Sequence, residues 1–252
     1  ASGGISEHTV DLANEVQNVN GVIALAHLTC ASSSRDKIQE VLQELKEHNI
    51  ENILALRGDI PEDLEFPLPD QYHHASELIG EIRNFGDFCI GGACYPEGHP
   101  EAESIEMDID NLKRKVDAGC EFLTTQMFFD NNILYNFLYR TLKKKIEVPI
   151  IAGIMPVTNV NQIKRITSLS GTILPQRFRA IVERFADYPA ALKQAGIAYA
   201  TEQIIDLVAN GVNHVHIYTM NKPDVAGAIF QNLSEIYRLP VKQKENDNEC
   251  IN

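Results

Sequence analysis

Basic residues are scarce in this chain: 22 Lys and Arg face 35 Asp and Glu, for a net charge of -13. That balance excludes a broad nucleic-acid surface, which needs clustered Lys and Arg, but it leaves room for a local basic pocket that takes an anionic cofactor. No apolar stretch approaches the roughly 18–20 residues of a membrane span, and the opening ASGGISEHT has no signal-peptide pattern. There are five cysteines, Cys30, Cys89, Cys94, Cys120 and Cys250, and no CxxC. The expectation is a cytosolic protein with buried, reduced thiols and no metal site. No P-loop, HExxH or Ser-His-Asp order stands out. A GxGxxG turn is also missing, so a doubly wound dinucleotide fold is disfavoured and phosphate recognition must come from elsewhere.

What is present is a repeated alternation. Six short apolar runs, Ile23–Cys30, Asn52–Asp59, Phe88–Pro96, Glu121–Phe129, Pro149–Val157 and His214–Met220, are separated by amphipathic stretches. Continuous apolar runs mark parallel strands covered on both faces, and helical crossovers gather the chemistry at the C-terminal strand ends. The first five runs start about 30 residues apart, the size of a βα unit. The longer gap before the sixth holds a Pro-bounded helix near Pro175–Ala186. Ser34 is placed to cap a helix carrying Ile38, Val41, Leu42 and Leu45. Gly119 closes a stripe of Ile105, Ile109, Leu112 and Val116, and a helix through Ile204–Val208 ends near Gly211. One domain over 1–240 with a polar tail at 241–252 is expected. A (β/α)8 TIM barrel needs eight strands. The expectation is therefore an α/β barrel whose first two strands are absent from this sequence, with an open sheet as the alternative.

Several strand ends carry residues suited to ligand chemistry. Arg57-Gly58-Asp59 combines a fork of donors, a flexible backbone and a negative charge, although an Arg–Asp pair closing a turn would look the same. Tyr95 and His99 stand in a loop stiffened by Pro96 and Pro100. On the following helix, Asp108, Asn111 and Lys115 fall within about a 60° sector at 100° per residue, while Arg114 points further toward solvent. A solvated charged face is the competing reading there. Gln126 ends the fourth run, and its amide suits a heterocycle. His214 and His216 on the sixth run read as buried packing, and His27 as a satisfied core histidine. The residues alone reach a barrel-like α/β enzyme for a polar heterocyclic ligand.

Six segments together closely resemble the 5,10-methylenetetrahydrofolate reductases: AHLTC (Ala26–Cys30), LRGD (Leu56–Asp59), YPEGHPEA (Tyr95–Ala102), DIDNLKRKVDAG (Asp108–Gly119), TQMFFD (Thr125–Asp130) and YTMN (Tyr218–Asn221). The resemblance covers nearly the whole chain except the tail. It implies a (β/α)8 barrel holding non-covalent FAD, in a cytoplasmic homo-oligomer. It also implies ping-pong hydride transfer from NADH or NADPH to 5,10-methylenetetrahydrofolate, giving 5-methyltetrahydrofolate for one-carbon metabolism. His27, Arg57, Gly58, Asp59, Ala75, Tyr95, His99, Ala102, Asp108, Asn111, Arg114 and Lys115 match flavin-contact positions. Asp59 corresponds to the acidic residue at the flavin pyrimidine edge, and Lys115 and Arg114 to the diphosphate and adenosine end. Gln126, Gln162, Met220 and Lys222 match substrate positions, with Gln126 also meeting the nicotinamide.

The sequence departs from the family at His74, where Tyr is common, at Met220 for Leu, at Lys222 for Arg, and at Ile166 for an aromatic. Lys222 keeps the charge but loses the bidentate fork. The family's general-acid Glu lies in an FEFFP-like first-strand segment that does not occur in this sequence. Two rival functions therefore stay open. A non-catalytic flavin- or folate-binding barrel predicts a flavin that nucleotide reduces and folate does not reoxidise. A pterin-binding methyltransferase predicts no flavin at all.

Overall fold

A computed structural model describes residues 8–31, 33–60 and 67–238. Six parallel strands, β1 (Leu25–Thr29), β2 (Asn52–Leu56), β3 (Cys89–Cys94), β4 (Phe122–Thr125), β5 (Ile150–Ile154) and β6 (Val215–Ile217), pair strictly in chain order. Each lies inside one of the apolar runs. The helices are α1 (Thr9–Asn14), α2 (Arg35–Glu47), α3 (Ala75–Phe85), α4 (Ile105–Asp117), α5 (Asn131–Lys143), α6 (Val160–Ser170), α7 (Gln176–Arg184), α8 (Pro189–Ala209) and α9 (Pro223–Leu233), with a π-helical turn, Glu15–Val19, following α1. The Pro-bounded insertion is α7. The polar tail and Cys250 lie outside the described residues.

Helix α2 shows what holds the layers together. The Ser34 hydroxyl accepts the Lys37 N–H at 3.2 Å, as the sequence suggested. Such a cap stabilises by about 1 kcal/mol. Burying Ile38, Val41, Leu42 and Leu45 against the sheet contributes on the order of 6–12 kcal/mol, so packing decides the helix. Leu28, Ile53, Ile90, Leu123 and Ile154 form the sheet's side of this core. A second cluster, around Met127, Phe129, Met155, Ile163 and Phe178, lies beyond the ends of β4 and β5, and the Phe129 and Phe178 rings stack there at 4.9 Å.

The opposite face of the sheet is concave. His27, Leu54, Gly91 and Phe122 are in register across β1 to β4, and His216 pairs with Gly153 across β5 and β6. Six flat strands would set β1 and β6 about 24 Å apart, given a spacing of roughly 4.8 Å. The twist between parallel strands instead curls the sheet into a half-barrel with this face inside. His27 therefore corrects the sequence reading: Ala26 and Leu28 point into the helix layer, and His27 faces the open concavity between them.

Four cysteines are described as free thiols: Cys30, Cys94 and Cys120 are buried and Cys89 is half-buried, matching the expectation of thiols in or beside strands. No described helix is long and apolar enough to cross a membrane.

Candidate functional site

The first part of the site forms where β2 and β3 end. Arg57 leaves β2 and turns its fork to Glu101, with Nη1–Oε2 at 2.6 Å and Nη2–Oε1 at 2.7 Å. The turn-closing Arg57–Asp59 pair considered from the sequence is thus replaced by a bridge to the β3–α4 loop. Gly58 has φ +85, and a Cβ there would stand 3.1 Å from the Thr29 Cβ, so only glycine brings this backbone against the end of β1. Asp59 is exposed at the rim.

The stiff loop after β3 folds on itself. The Tyr95 and His99 rings meet edge to face at 4.6 Å, and His99 Nδ1 accepts the Glu101 N–H at 3.1 Å. Asp108 reaches back from α4, its Oδ2 accepting the His99 N–H at 3.1 Å. Lys115, two turns further on, donates to the Ala93 carbonyl at 2.8 Å. Asp108, Asn111 and Lys115 are partly buried and Arg114 is exposed, as the helical arithmetic required. Arg114 donates to Asn111 at 3.1 Å. Ala75 is buried as the first residue of α3, after the uncapped His74.

Burial dominates the electrostatics here. It lowers the Lys115 ammonium, against the opposing pull of Cys94 and Asp108, and it raises Asp108 despite the His99 N–H and Lys115. Burial also lowers His99 and raises Tyr95. A largely desolvated ammonium at this rim is suited to meeting an anion. The thiols are inert, because burial pushes Cys30 and Cys120 up to about 11.

The second part lies at the ends of β4 to β6. Gln126 is half-buried, its backbone N–H bonded to the Cys94 carbonyl at 2.7 Å and its Oε1 accepting the Met127 N–H at 3.1 Å. Tyr218 donates to the Thr125 carbonyl at 2.9 Å. Burial pushes its phenol up, and the Gln126–Cys94 backbone bond sets this part beside the first. His216 meets Tyr218 edge to face at 4.7 Å and is half-buried, while His214 is exposed one residue before β6. Neither histidine is the buried packing residue the sequence suggested.

Gln162, on α6, points its Nε2 at the Met155 sulfur 4.0 Å away, and its Oε1 is buried without a partner. Lys222 donates to Thr158 at 2.6 Å, after a turn in which Met220 and Asn221 have φ +50 and +57. Met220 is exposed.

The profile of the family described as methylenetetrahydrofolate reductase matches residues 1–234. The chain belongs to the methylenetetrahydrofolate reductase family. A 5,10-methylenetetrahydrofolate reductase of Pectobacterium carotovorum is 34% identical over 233 residues, covering 92% of this chain and 77% of the relative. The Escherichia coli protein of that name shows the same identity and coverage. Methylenetetrahydrofolate reductase (NADH) 1 of Arabidopsis thaliana is 35% identical over 249 residues, and this chain spans 42% of its length. A solved structure of an uncharacterized Clostridium thermocellum protein, described as binding two copies of 5-methyl-5,6,7,8-tetrahydrofolic acid, has a TM-score of 0.58. It covers 89% of this chain and 78% of its own at 13% identity, a likeness of fold.

The family's cofactor positions can be tested against the chemistry in place. Thr29 Oγ1, at the end of β1 beside Gly58, is a buried hydroxyl without a partner. A buried polar atom left unpaired is costly, and a bound polar group at this edge would relieve it. With Arg57, Asn111 and Lys115 as donors and Tyr95 and His99 as ring surfaces, the residues fit a dinucleotide such as FAD. The sequence reading missed Thr29, although it lies inside the AHLTC segment, and it missed Glu101 and Thr158, the partners of Arg57 and Lys222. Among the described residues, no three His, Cys, Asp or Glu side chains group as metal ligands.

Proposed function

We propose that this chain is the catalytic unit of an FAD-dependent methylenetetrahydrofolate reductase, its six strands forming part of a (β/α)8 barrel. The observation that carries this reading is the convergence of Arg57, Tyr95, His99, Asp108 and Lys115 on one rim that adjoins Gln126, in a member of this family. FAD held by these residues would supply the redox chemistry that couples oxidation of NADH or NADPH to reduction of 5,10-methylenetetrahydrofolate, in a ping-pong order.

The chain's own residues bind and orient. Lys115, Asn111 and Arg114 hold the diphosphate and adenosine end, where a desolvated ammonium bonds an anion strongly. Asp59 sets a negative charge at the pyrimidine edge, and Arg57, fixed by Glu101, supplies a pre-oriented guanidinium. Gln126 offers donor and acceptor to the amide edge of nicotinamide or pterin. The unpaired Gln162 Oε1 accepts from the folate, and Lys222 meets its glutamate carboxylate. Tyr95 and Tyr218 keep water from the strand ends between these groups.

The test is anaerobic. Purified protein should be yellow, bleached by NADH or NADPH and recoloured by methylenetetrahydrofolate. Protein that stays colourless after incubation with FAD and ignores folate would refute the reading. A flavin that nucleotide bleaches but folate leaves bleached would favour the binding-protein alternative.

A further inference from the structure

Glu97 belongs to neither half of the proposed site, yet it joins them. It follows Pro96 in the loop between β3 and α4, and its Oε2 accepts the Ile173 N–H at 2.9 Å across 76 residues of sequence. Ile173 lies just past the end of α6, the helix that carries Gln162. The same turn is anchored on its other side, where the Thr172 hydroxyl reaches the Met127 carbonyl at 3.5 Å and lies 2.7 Å from Ser170 Oγ.

The contact bridges open space. A cleft of about 510 Å³ separates the β3–α4 loop from α5 and the turn after α6, lined by Glu97, His99, Ile105, Asn136, Arg140 and Ile173 among others. Glu97 Oε1 is itself buried without a partner, and burial holds the carboxyl above its usual value. A carboxylate serving only a surface loop would keep both oxygens in water. This one is desolvated while its other oxygen fastens one loop to another.

We propose that Glu97 is a positioning residue that couples the 95–102 loop to helix α6, so that the segment facing the flavin and the helix presenting Gln162 are set in one arrangement. This rests on the folate reading of Gln162 given above. Losing one such bond is worth about 0.5–1.5 kcal/mol, or roughly two- to tenfold in an equilibrium.

The test uses E97A and E97Q in the full chain. E97A should raise the KM for methylenetetrahydrofolate about two- to tenfold while leaving flavin reduction by NADH unchanged in the separate half-reaction. E97Q retains an acceptor oxygen for Ile173 and should restore the KM. Amide exchange over 160–173 should rise in E97A and return in E97Q, a readout that needs no turnover. Equal damage by both variants, equal loss in both half-reactions, or unchanged exchange over 160–173 would overturn the coupling. If the wild-type protein shows no folate turnover, the proposed function fails, and the exchange data still decide whether Glu97 couples loop to helix.

Discussion

Tyr218 on the β6 side reaches the Thr125 carbonyl on β4 by lying across Gly153 of β5, which has no side chain to block it. A Cβ at 153 would stand 2.3 Å from the Thr125 oxygen and 2.7 Å from the Tyr218 ring. The bond spans 93 residues of sequence and fixes the peptide that leads into Gln126. The glycine is therefore what lets the last strand support a residue on the fourth.

The two substitutions G153A and Y218F separate space from bonding. Y218F removes one hydroxyl and leaves a carbonyl at 125 short of a donor, costing about 1–3 kcal/mol. G153A forces backbone or ring to move, and overpacking of this kind costs about 1–3 kcal/mol while also displacing Tyr218. Urea denaturation should therefore rank G153A below Y218F in stability. A G153A protein as stable as wild type would overturn the assignment of close packing between Gly153 and Tyr218.

Gly58 makes a complementary prediction at the rim proposed for the flavin. Its φ of +85 penalises any side chain, and Thr29 closes the space where a Cβ would go. G58A should lose about 1–2 kcal/mol from the left-handed backbone alone. It should also hold FAD more weakly, because the backbone can no longer approach β1. Equilibrium dialysis of FAD against wild type and G58A checks the second effect apart from the first.

The ends of the strands and the helix edges were legible because they follow fixed periods. Asn52–Leu56 fills the first part of its apolar run, and the remaining Arg57, Gly58 and Asp59 leave the ladder as a rim. The partial burial of Asp108, Asn111 and Lys115, with Arg114 exposed, follows from 100° per residue. Partners far apart in sequence carry no such period. Nothing in LRGD indicates that Arg57 bonds Glu101, 44 residues away, rather than Asp59. His27 was misread for another reason. In a covered parallel sheet both faces are dry, but the inner face of these six strands is an open concavity, so an apolar run does not imply a buried histidine.

The Arg57–Glu101 pair sets a pH dependence with a definite sign. The hydrogen bonds and charge of Arg57 hold the Glu101 carboxyl below its ordinary value, against a smaller opposing effect of burial. A carboxyl depressed in the folded state binds fewer protons there than when unfolded, so its contribution is present above the unfolded value of about 4.3 and fades as pH falls through the folded one. Glu101 is 60% exposed, so solvent screening keeps the effect below about 1 kcal/mol. The stability gap between wild type and E101Q should be level from neutral pH down to about 5 and close below about 4. A gap that widens in acid would reverse the assignment.

Lys115 gives the sharpest test of the cofactor reading, because two of its effects have opposite signs. Its ammonium is desolvated and held by the Ala93 carbonyl, and burial lowers its pKa. A lysine lowered in the folded state costs stability while protonated, and the cost is relieved as pH rises through the folded value. K115M keeps the aliphatic stem and removes the buried charge, so the flavin-free protein should be at least as stable as wild type at neutral pH. The same variant lacks the cation proposed for the diphosphate. Loss of a charge-assisted bond worth about 1.5–3 kcal/mol should weaken FAD binding roughly 10- to 100-fold. Thermal melts without FAD and flavin titrations read the two effects separately. If K115M were less stable and bound FAD as tightly as wild type, Lys115 would be a packing residue, and the diphosphate would have to be held from elsewhere on the rim.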